Sequence, residues 1–563
     1  MGVALSGILP ETQHAVQLVG PGELRLNDGK PVPQPGPRQI LARIEAVGLC
    51  FSDLKLLKQF SAHGRKAEIV EGLDAAALAE IPSYVPGDEP AVPGHEAVCR
   101  VVAVGDEVEH AEVGGRYLIQ TDYRWLKTPG SNAALGYNFE GALQEYVLMD
   151  ERVIVDPDSG ESLLIPVGDE HSASAVCLVE PWACVEDSYV SEERRTVRPE
   201  GALLVVADTG HKIVGLDQAV AGMKLASVTA VLASESHRAT LVQLGMSATE
   251  AKGLAKLDDA AFDDIIYYGA DAATISALDD KLVPGGILNV VAGGKQVGKP
   301  VALNVGRAHY GGTRWIGTTG DNAADSYEMI PDTGEVRHGD RVCVVGAGGP
   351  MGQMHVIRDL CSGRRDLSVT ASDLDDERLA SLRAKAEPMA RAAGVELRLA
   401  NPKTTPDDTA YTYYAIMAPV PALVADAVSK AGENALINVF AGIAPTDKHE
   451  LDFDAILARR VYLFGTSGSV VRDMKIVLEK LDSGQLDTNA SVDAVAGMAG
   501  AIDGMAAVEN RTLAGKAIVY PELAELPLTK LAELAERYPA VAEKLEDGKW
   551  TRAAEDELRR AAK

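Results

Sequence analysis

Val342-Cys343-Val344-Val345-Gly346-Ala347-Gly348-Gly349-Pro350-Met351-Gly352 is a short apolar run entering a glycine-rich turn, and a helix-compatible segment follows it as far as Leu360. A turn of this kind lets backbone approach a pyrophosphate, and the start of the helix offers free N–H groups and the favourable end of the helix dipole. Asp373 closes the next strand-like run, Leu367 to Asp373, where a carboxylate would take ribose hydroxyls, so NAD rather than NADP is expected here. The turn has one residue more than the usual G-x-G-x-x-G and would be weak evidence alone. Strand, helix and acid agree, which assigns cofactor contacts to Gly346, Gly348, Gly349, Pro350, Met351, Gly352 and Asp373.

Outward from this turn, the surrounding pattern occurs twice. Leu288-Asn-Val-Val-Ala-Gly293 matches Ile437-Asn-Val-Phe-Ala-Gly442 at an offset of 149, and Gly317-Thr-Thr-Gly320 matches Gly465-Thr-Ser-Gly468 at 148. Ala202 to Ala207 matches Arg341 to Gly346 at 139. Strands alternate with helical patterns across both copies, which implies parallel βαβ units and a tandem duplication of a doubly wound, Rossmann-type domain. The boundaries fall near 198–336 and 337–470. The first copy runs into Asp208-Thr209-Gly210-His211-Lys212, where a carboxylate opposes an anionic pyrophosphate and the close-approach glycines are missing. It is expected to have lost ordinary NAD binding and to serve structure or another ligand; His211 and Lys212 could still hold a phosphate.

Upstream, residues 1–197 have a different texture. Short apolar runs such as Gln39 to Val47 and Ala97 to Val104 are separated by Gly and Pro, which reads as β-rich and barrel-like. Within them lie Gly48-Leu49-Cys50-Phe51-Ser52-Asp53, Val92-Pro93-Gly94-His95-Glu96 and Leu178-Val179-Glu180-Pro181. Cys50 alone reads as a small buried hydrophobe, His95 as a turn histidine and Glu180 as an acid at a helix start. Together they offer a thiolate, an imidazole and carboxylates, a donor set that suits Zn2+ in a site left open to substrate.

These stretches resemble the G-x-C-x-[ST]-D and P-G-H-E elements of the zinc-dependent medium-chain dehydrogenase/reductases. Phe139-Glu140-Gly141-Ala142-Leu143-Gln144-Glu145-Tyr146 is similar to the same family's G-[AG]-[FL]-A-E-Y. The Glu-Pro form at Glu180, where alcohol dehydrogenases have Cys, looks like the sorbitol and sugar-alcohol branch. The resemblance covers roughly residues 15 to 520 and implies a GroES-like catalytic domain, one Zn2+ per chain and NAD. It puts Cys50 and His95 on the metal. Glu96 would be a third ligand or a carboxylate close behind, and Glu180 a ligand or the partner of a metal-bound water. Ser52 would pass on the substrate's hydroxyl proton, and Asp53 would orient His95 through its second ring nitrogen. Lys55 stands where relatives carry a relay histidine, and could continue the relay or hold a substrate phosphate. Zn2+ would act as a Lewis acid on an alcohol, and a nicotinamide must lie near it, since no side chain accepts hydride.

The duplication is the main departure from that family. A second is the distance from Cys50 to His95, 45 residues, about twice that expected in such enzymes. The excess, near 61–90, includes a helix-like Asp74 to Glu80 and would roof the substrate pocket or form a surface lobe. No four-cysteine cluster lies between Gly115 and Gly141, where many relatives carry a structural zinc. Residues 471–520 look like the family's closing segment, ending in Gly515 to Tyr520. The tail, 521–563, reads as helices over Leu528–Arg537 and Thr551–Arg560, for packing or oligomer contact.

Composition narrows the partners. With 54 Lys and Arg against 82 Asp and Glu, the 563-residue chain carries a net charge of −28, which disfavours nucleic acid and anionic membranes and favours small molecules. The six cysteines show no paired framework, which suits a reducing compartment. No signal peptide or membrane-spanning run is visible, and Met1-Gly2 with Ser6 fits only the loose N-myristoylation pattern. A cytoplasmic homo-oligomer is expected. The leading function is hydride transfer between NAD and a secondary alcohol of a polyol, sugar or sugar phosphate. Two alternatives are an enzyme whose tightly bound NAD recycles during epimerisation or elimination, and a non-catalytic NAD-binding sensor or scaffold.

Overall fold

The strand Gln39–Gly48 organises the first of two compact units, which comprises Met1–Cys184 and Ser469–Lys563. It pairs with Glu96–Val104 on one side and, on the other, with Lys516–Val519 from near the chain's end. The computed structural model describes Val3–Ala4 and residues 9–562. The Met1-Gly2 and Ser6 pattern lies outside these. Ten residues long and almost wholly buried, the strand is the middle of a nine-stranded sheet. Apart from Gln39, Arg43 and Glu45 its residues are apolar or glycine, as a strand covered on both faces requires, and the buried Glu45 is paired with Arg100 and Arg116.

Residues 471–520 supply the helices Val471–Asp482 and Met498–Glu509 and the parallel strands Val492–Ala496 and Lys516–Val519. The region without a cysteine cluster forms the hairpin Asp122–Thr128 with Ser131–Ala134. Against this hairpin packs the stretch after helix Phe51–Gln59. Val70 N–H donates to the Lys127 carbonyl, and Gly72 lies so close to the Trp125 carbonyl that a Cβ would sit 2.5 Å from it. Within the stretch, Asp74 caps the short helix Ala75–Ala79.

The tail departs from the sequence reading at its start. Thr529 pairs with Val495 as part of a short strand, and helix begins only at Leu531, as a 3-10 turn to Glu533 that continues as α-helix over Leu534–Arg537 before Pro539 opens another turn. Edge pairing takes precedence there over helical periodicity. The final helix, Arg552–Ala561, buries Glu555, whose carboxylate accepts from the Ala173 and Ser174 N–H groups at 2.7 and 2.9 Å. An acid at a helix N-terminus satisfies otherwise orphaned donors, so the tail packs onto its own chain.

The second unit, Val185–Gly468, holds two six-stranded parallel sheets. In the first the order is Thr249–Glu250, Ser227–Leu232, Ala202–Ala207, Phe262–Tyr268, Leu282–Val291, Arg314–Thr318. The second repeats it with Glu396–Ala400, Ser368–Ser372, Arg341–Val345, Tyr413–Ile416, Leu436–Val439, Tyr462–Phe464. Both are the doubly wound order of dinucleotide-binding folds.

The copies join through an antiparallel pair, Val301–Asn304 with Lys448–Leu451. Gly317 packs on Leu457, and its equivalent Gly465 packs on His309, the residue equivalent to Leu457. Such reciprocity is the mark of a two-fold contact between like surfaces. One apolar core runs through both, taking Leu288, Val290 and Trp315 from the first and Ile437, Val439 and Leu457 from the second. Arg358 of the second copy lies buried between Glu186 and Glu335, with its guanidinium 3.9 Å above the Tyr189 ring. Among the described residues, no helix is long and apolar enough to cross a membrane.

Candidate active site

Cys50 is the N-cap of helix Phe51–Gln59, and its N–H donates to Asp53 Oδ2 at 3.1 Å. That hydrogen bond fixes the first turn, from which Ser52 and Asp53 both project toward His95. Asp53, buried, presents Oδ1 to His95 Nδ1 at 2.9 Å. Ser52 Oγ lies 3.0 Å from Cys50 Sγ and 3.1 Å from His95 Nε2. Burial opposes an imidazolium at His95, but the Asp53 carboxylate holds its pKa well above the usual value.

His95 precedes the strand Glu96–Val104, and Gly94, at φ +96°, turns the chain into it. Glu96 is fully buried. One carboxylate oxygen accepts from Lys516 Nζ, whereas Oε2 has no hydrogen-bond partner. Gly48 makes room for that oxygen, since a Cβ there would stand 2.1 Å from it. Burial works against the Lys516 ammonium, but the Glu96 and Cys50 charges hold its pKa above the ordinary lysine range.

Ligand atoms of Cys50, His95 and Glu96 all lie within 4.8 Å of one another. A thiol at a helix N-cap, an imidazole just before a strand and a carboxylate at that strand's start, with one oxygen lacking a partner, fit a zinc ion's donor preferences. Glu180 stands outside that set. It is buried in helix Val179–Val190, with Cys184 Sγ 3.8 Å from Oε1. Burial and the nearby Glu96 push its carboxyl up to about 7, against His95 and Lys516.

Four neighbours were not singled out by sequence reasoning. Lys516 sits 420 positions from Glu96, and its only trace is a cation inside the apolar run Gly515 to Tyr520. Tyr137 is buried, with its ring centroid 5.8 Å from that of His95, and its hydroxyl bonds to Ser52. His63, from the insertion, has its ring centroid 5.1 Å from that of Tyr137, and the Arg65 guanidinium carbon lies 5.6 Å from the same ring. Lys55 is exposed on the helix, three residues after Ser52.

In the second copy, Gly346 has φ +82°, Gly349 caps helix Pro350–Leu360 without a side chain, and Pro350 occupies its first turn. Met351 follows, half-buried. Gly352 lies against Gly346, where a Cβ would be 2.2 Å from the carbonyl oxygen. Gly348 N–H donates to Asp373 Oδ2 at 2.8 Å, so the acid stands beside the turn. A bare turn, a helix start and an adjacent carboxylate fit the pyrophosphate and ribose of a dinucleotide.

The corresponding crevice of the first copy is filled by its own side chains. Tyr267 donates its hydroxyl proton to Asp208, and His211 Nε2 lies 3.2 Å from the Ala292 carbonyl. His237 Nε2 lies 2.8 Å from the His211 carbonyl.

Residues 36–158 match the family model of the alcohol dehydrogenase GroES-like domain. L-Sorbose 1-phosphate reductase of Klebsiella pneumoniae is 27% identical over 344 residues, spanning 56% of this chain and 77% of that one. Sorbitol dehydrogenase of Bos taurus is 36% identical over 101 residues, 18% of this chain and 22% of its own. The crystal structure of 2R,3R-butanediol dehydrogenase from Bacillus subtilis shares the fold, with a TM-score of 0.52, 14% identity, and coverage of 91% of this chain and 100% of that one.

Proposed function

We propose that this chain, a polyol-dehydrogenase-like medium-chain dehydrogenase/reductase, is a zinc- and NAD-dependent oxidoreductase acting on a secondary alcohol of a polyol, sugar or sugar phosphate. What carries the reading is Ser52 Oγ, held 3.0 Å from Cys50 Sγ and 3.1 Å from His95 Nε2, at the lip of the donor cluster. Cys50, His95 and Glu96 would hold the metal, with Glu180 as a fourth ligand or the partner of its water. When bound, zinc would supply Lewis-acid polarisation of the substrate hydroxyl, and NAD in the second copy would supply the hydride acceptor.

The chain's own residues handle the proton and the geometry. Ser52 would accept the hydroxyl proton and hand it on through the Tyr137 hydroxyl bonded to it. Asp53 fixes the His95 ring, which keeps Nε2 turned to the cluster. Lys516 anchors one Glu96 oxygen, leaving Oε2 for a further partner. Gly346 to Gly352 would receive the pyrophosphate and Asp373 the ribose.

The test is NADH formation from NAD across polyols, sugars and their phosphates, comparing wild type with Ser52→Ala at equal zinc content. Loss of a positioned proton acceptor should lower kcat by about 100-fold or more. Silence across the panel with zinc and NAD bound would overturn the reading in favour of a recycling cofactor or a sensor.

A further inference from the structure

One turn of the insertion between Cys50 and His95 brings cationic side chains to the candidate site, although the insertion, like the whole chain with its net charge of −28, is acidic overall. His63 caps the single turn Gly64–Lys66, which holds Arg65, and Arg65 N–H donates to His63 Nδ1 at 3.2 Å. Two anchors hold that turn. Thr128 Oγ1 donates to the Gly64 carbonyl at 2.8 Å, and the fully buried Lys66 ammonium donates to the carbonyls of Val85 and Glu89. Arg65 is thus presented on a fixed platform. Asp122 binds one guanidinium nitrogen and so orients the fork, while the side chain stays 27% exposed.

Tyr137 links this platform to the candidate metal cluster, since its ring neighbours His95 as well as His63 and Arg65. Lys55, one turn beyond Ser52 on the helix, stands near enough for its charge to act on His63. Arg124, with Nη2 3.9 Å from Asp122, is a second cation against that single aspartate. We infer that Arg65, together with Lys55 and His63, forms a subsite for the phosphate monoester of a polyol or sugar phosphate whose secondary hydroxyl lies at Ser52. A planar, oriented guanidinium matches phosphate oxygens in pairs, and an ammonium adds a point charge. Burial first, then the Arg65 and Lys55 charges, push the His63 pKa down to about 4. A dianionic phosphate relieves that crowding of cations. The inference rests on the dehydrogenase reading and narrows its substrate class.

Calorimetry on the zinc-loaded full chain with NAD separates the two. A hexitol phosphate, the parent hexitol and the matching sugar acid would be titrated into wild type, Arg65→Gln and Arg65→Lys. The phosphate ester should bind wild type at least about tenfold more tightly than the hexitol, and inorganic phosphate should compete with it. That preference should collapse in Arg65→Gln and be partly restored in Arg65→Lys. A preference unchanged by Arg65→Gln, equal weakening of all three ligands, or tighter binding of the sugar acid than of the phosphate would overturn the subsite. Absence of phosphate competition on wild type would do so without any variant. Turnover measured alongside isolates the parent reading: selective phosphate binding with no NADH formed would sink the dehydrogenase assignment and leave the subsite standing.

Discussion

The two copies of the nucleotide-type domain have the same six-stranded order, yet of the positions that would meet a ligand they share only the glycine at Gly349 and Gly210. Counting from paired strands, Gly352 of the second copy corresponds to Ile213 of the first, and Asp373 to Leu232. After Gly349 the second copy forms an eleven-residue helix; the first forms only the four-residue Leu216–Ala219, preceded by Gly215 at φ +71°. Side chains fill the space that backbone leaves open in the other. Positions facing the shared core, such as Leu288 and Ile437, remain apolar in both. Sheet and site are therefore separable: packing between the copies constrains the strands, and only ligand contact constrains the turn.

Moving first-copy residues into the second tests this, with Gly352→Ile expected to do most damage. A Cβ there already meets the Gly346 carbonyl oxygen at 2.2 Å, and backbone cannot yield as a flexible side chain can. NAD titration should show no measurable binding, with a stability loss of at least about 1–3 kcal/mol from overpacking. The partner experiment, Ile213→Ala, empties a buried position and should cost about 2–5 kcal/mol. It should still leave one NAD bound per chain. Two NAD per chain in wild type would show that the first copy kept its site by other means.

Next comes Asp373→Leu, which imports Leu232. Loss of hydrogen bonds to a charged acceptor should weaken NAD by about 10- to 100-fold, or about 1.5–3 kcal/mol, and narrow its advantage over NADP. Unchanged NAD affinity would mean that Asp373 serves only its bond to the Gly348 N–H.

These substitutions also mark how far sequence alone reaches. The turn at Gly346 to Gly352 and its loss at Asp208 are legible because each depends on residues close along the chain, and Cys50, His95 and Glu96 because each sits in its own short motif, although the motifs lie 45 residues apart. Glu96 and Lys516 meet only because Lys516–Val519 pairs with Gln39–Gly48, a long-range register that no local pattern encodes. His63 and Arg65 looked like loop composition until Tyr137 was placed beside them. The reciprocal seating of Gly317 and Gly465 follows from tertiary packing, although the duplication behind it is plain in the sequence.

The smallest expected effect concerns pH. His355 lies on the helix Pro350–Leu360, fully buried, at the position corresponding to Leu216, which is also fully buried. Tyr189 Oη lies 2.8 Å from its Nδ1. Burial first, then the Arg358 charge, push the His355 pKa down to about 3. An unfolded histidine titrates near 6.5, so between about 6.5 and 3 the unfolded chain binds a proton that the folded chain refuses. Stability from this group is therefore full above about pH 6.5 and is lost as pH falls, by at most about 1.4 kcal/mol per pH unit. His355→Leu removes that dependence along with one hydrogen bond worth about 1 kcal/mol. Denaturant unfolding should find the variant weaker than wild type at pH 7, and the gap closing or reversing by pH 5. A gap constant across that range would mean that His355 takes up its proton in the folded chain, and that the second copy's helix holds a charge where the first copy holds only leucine.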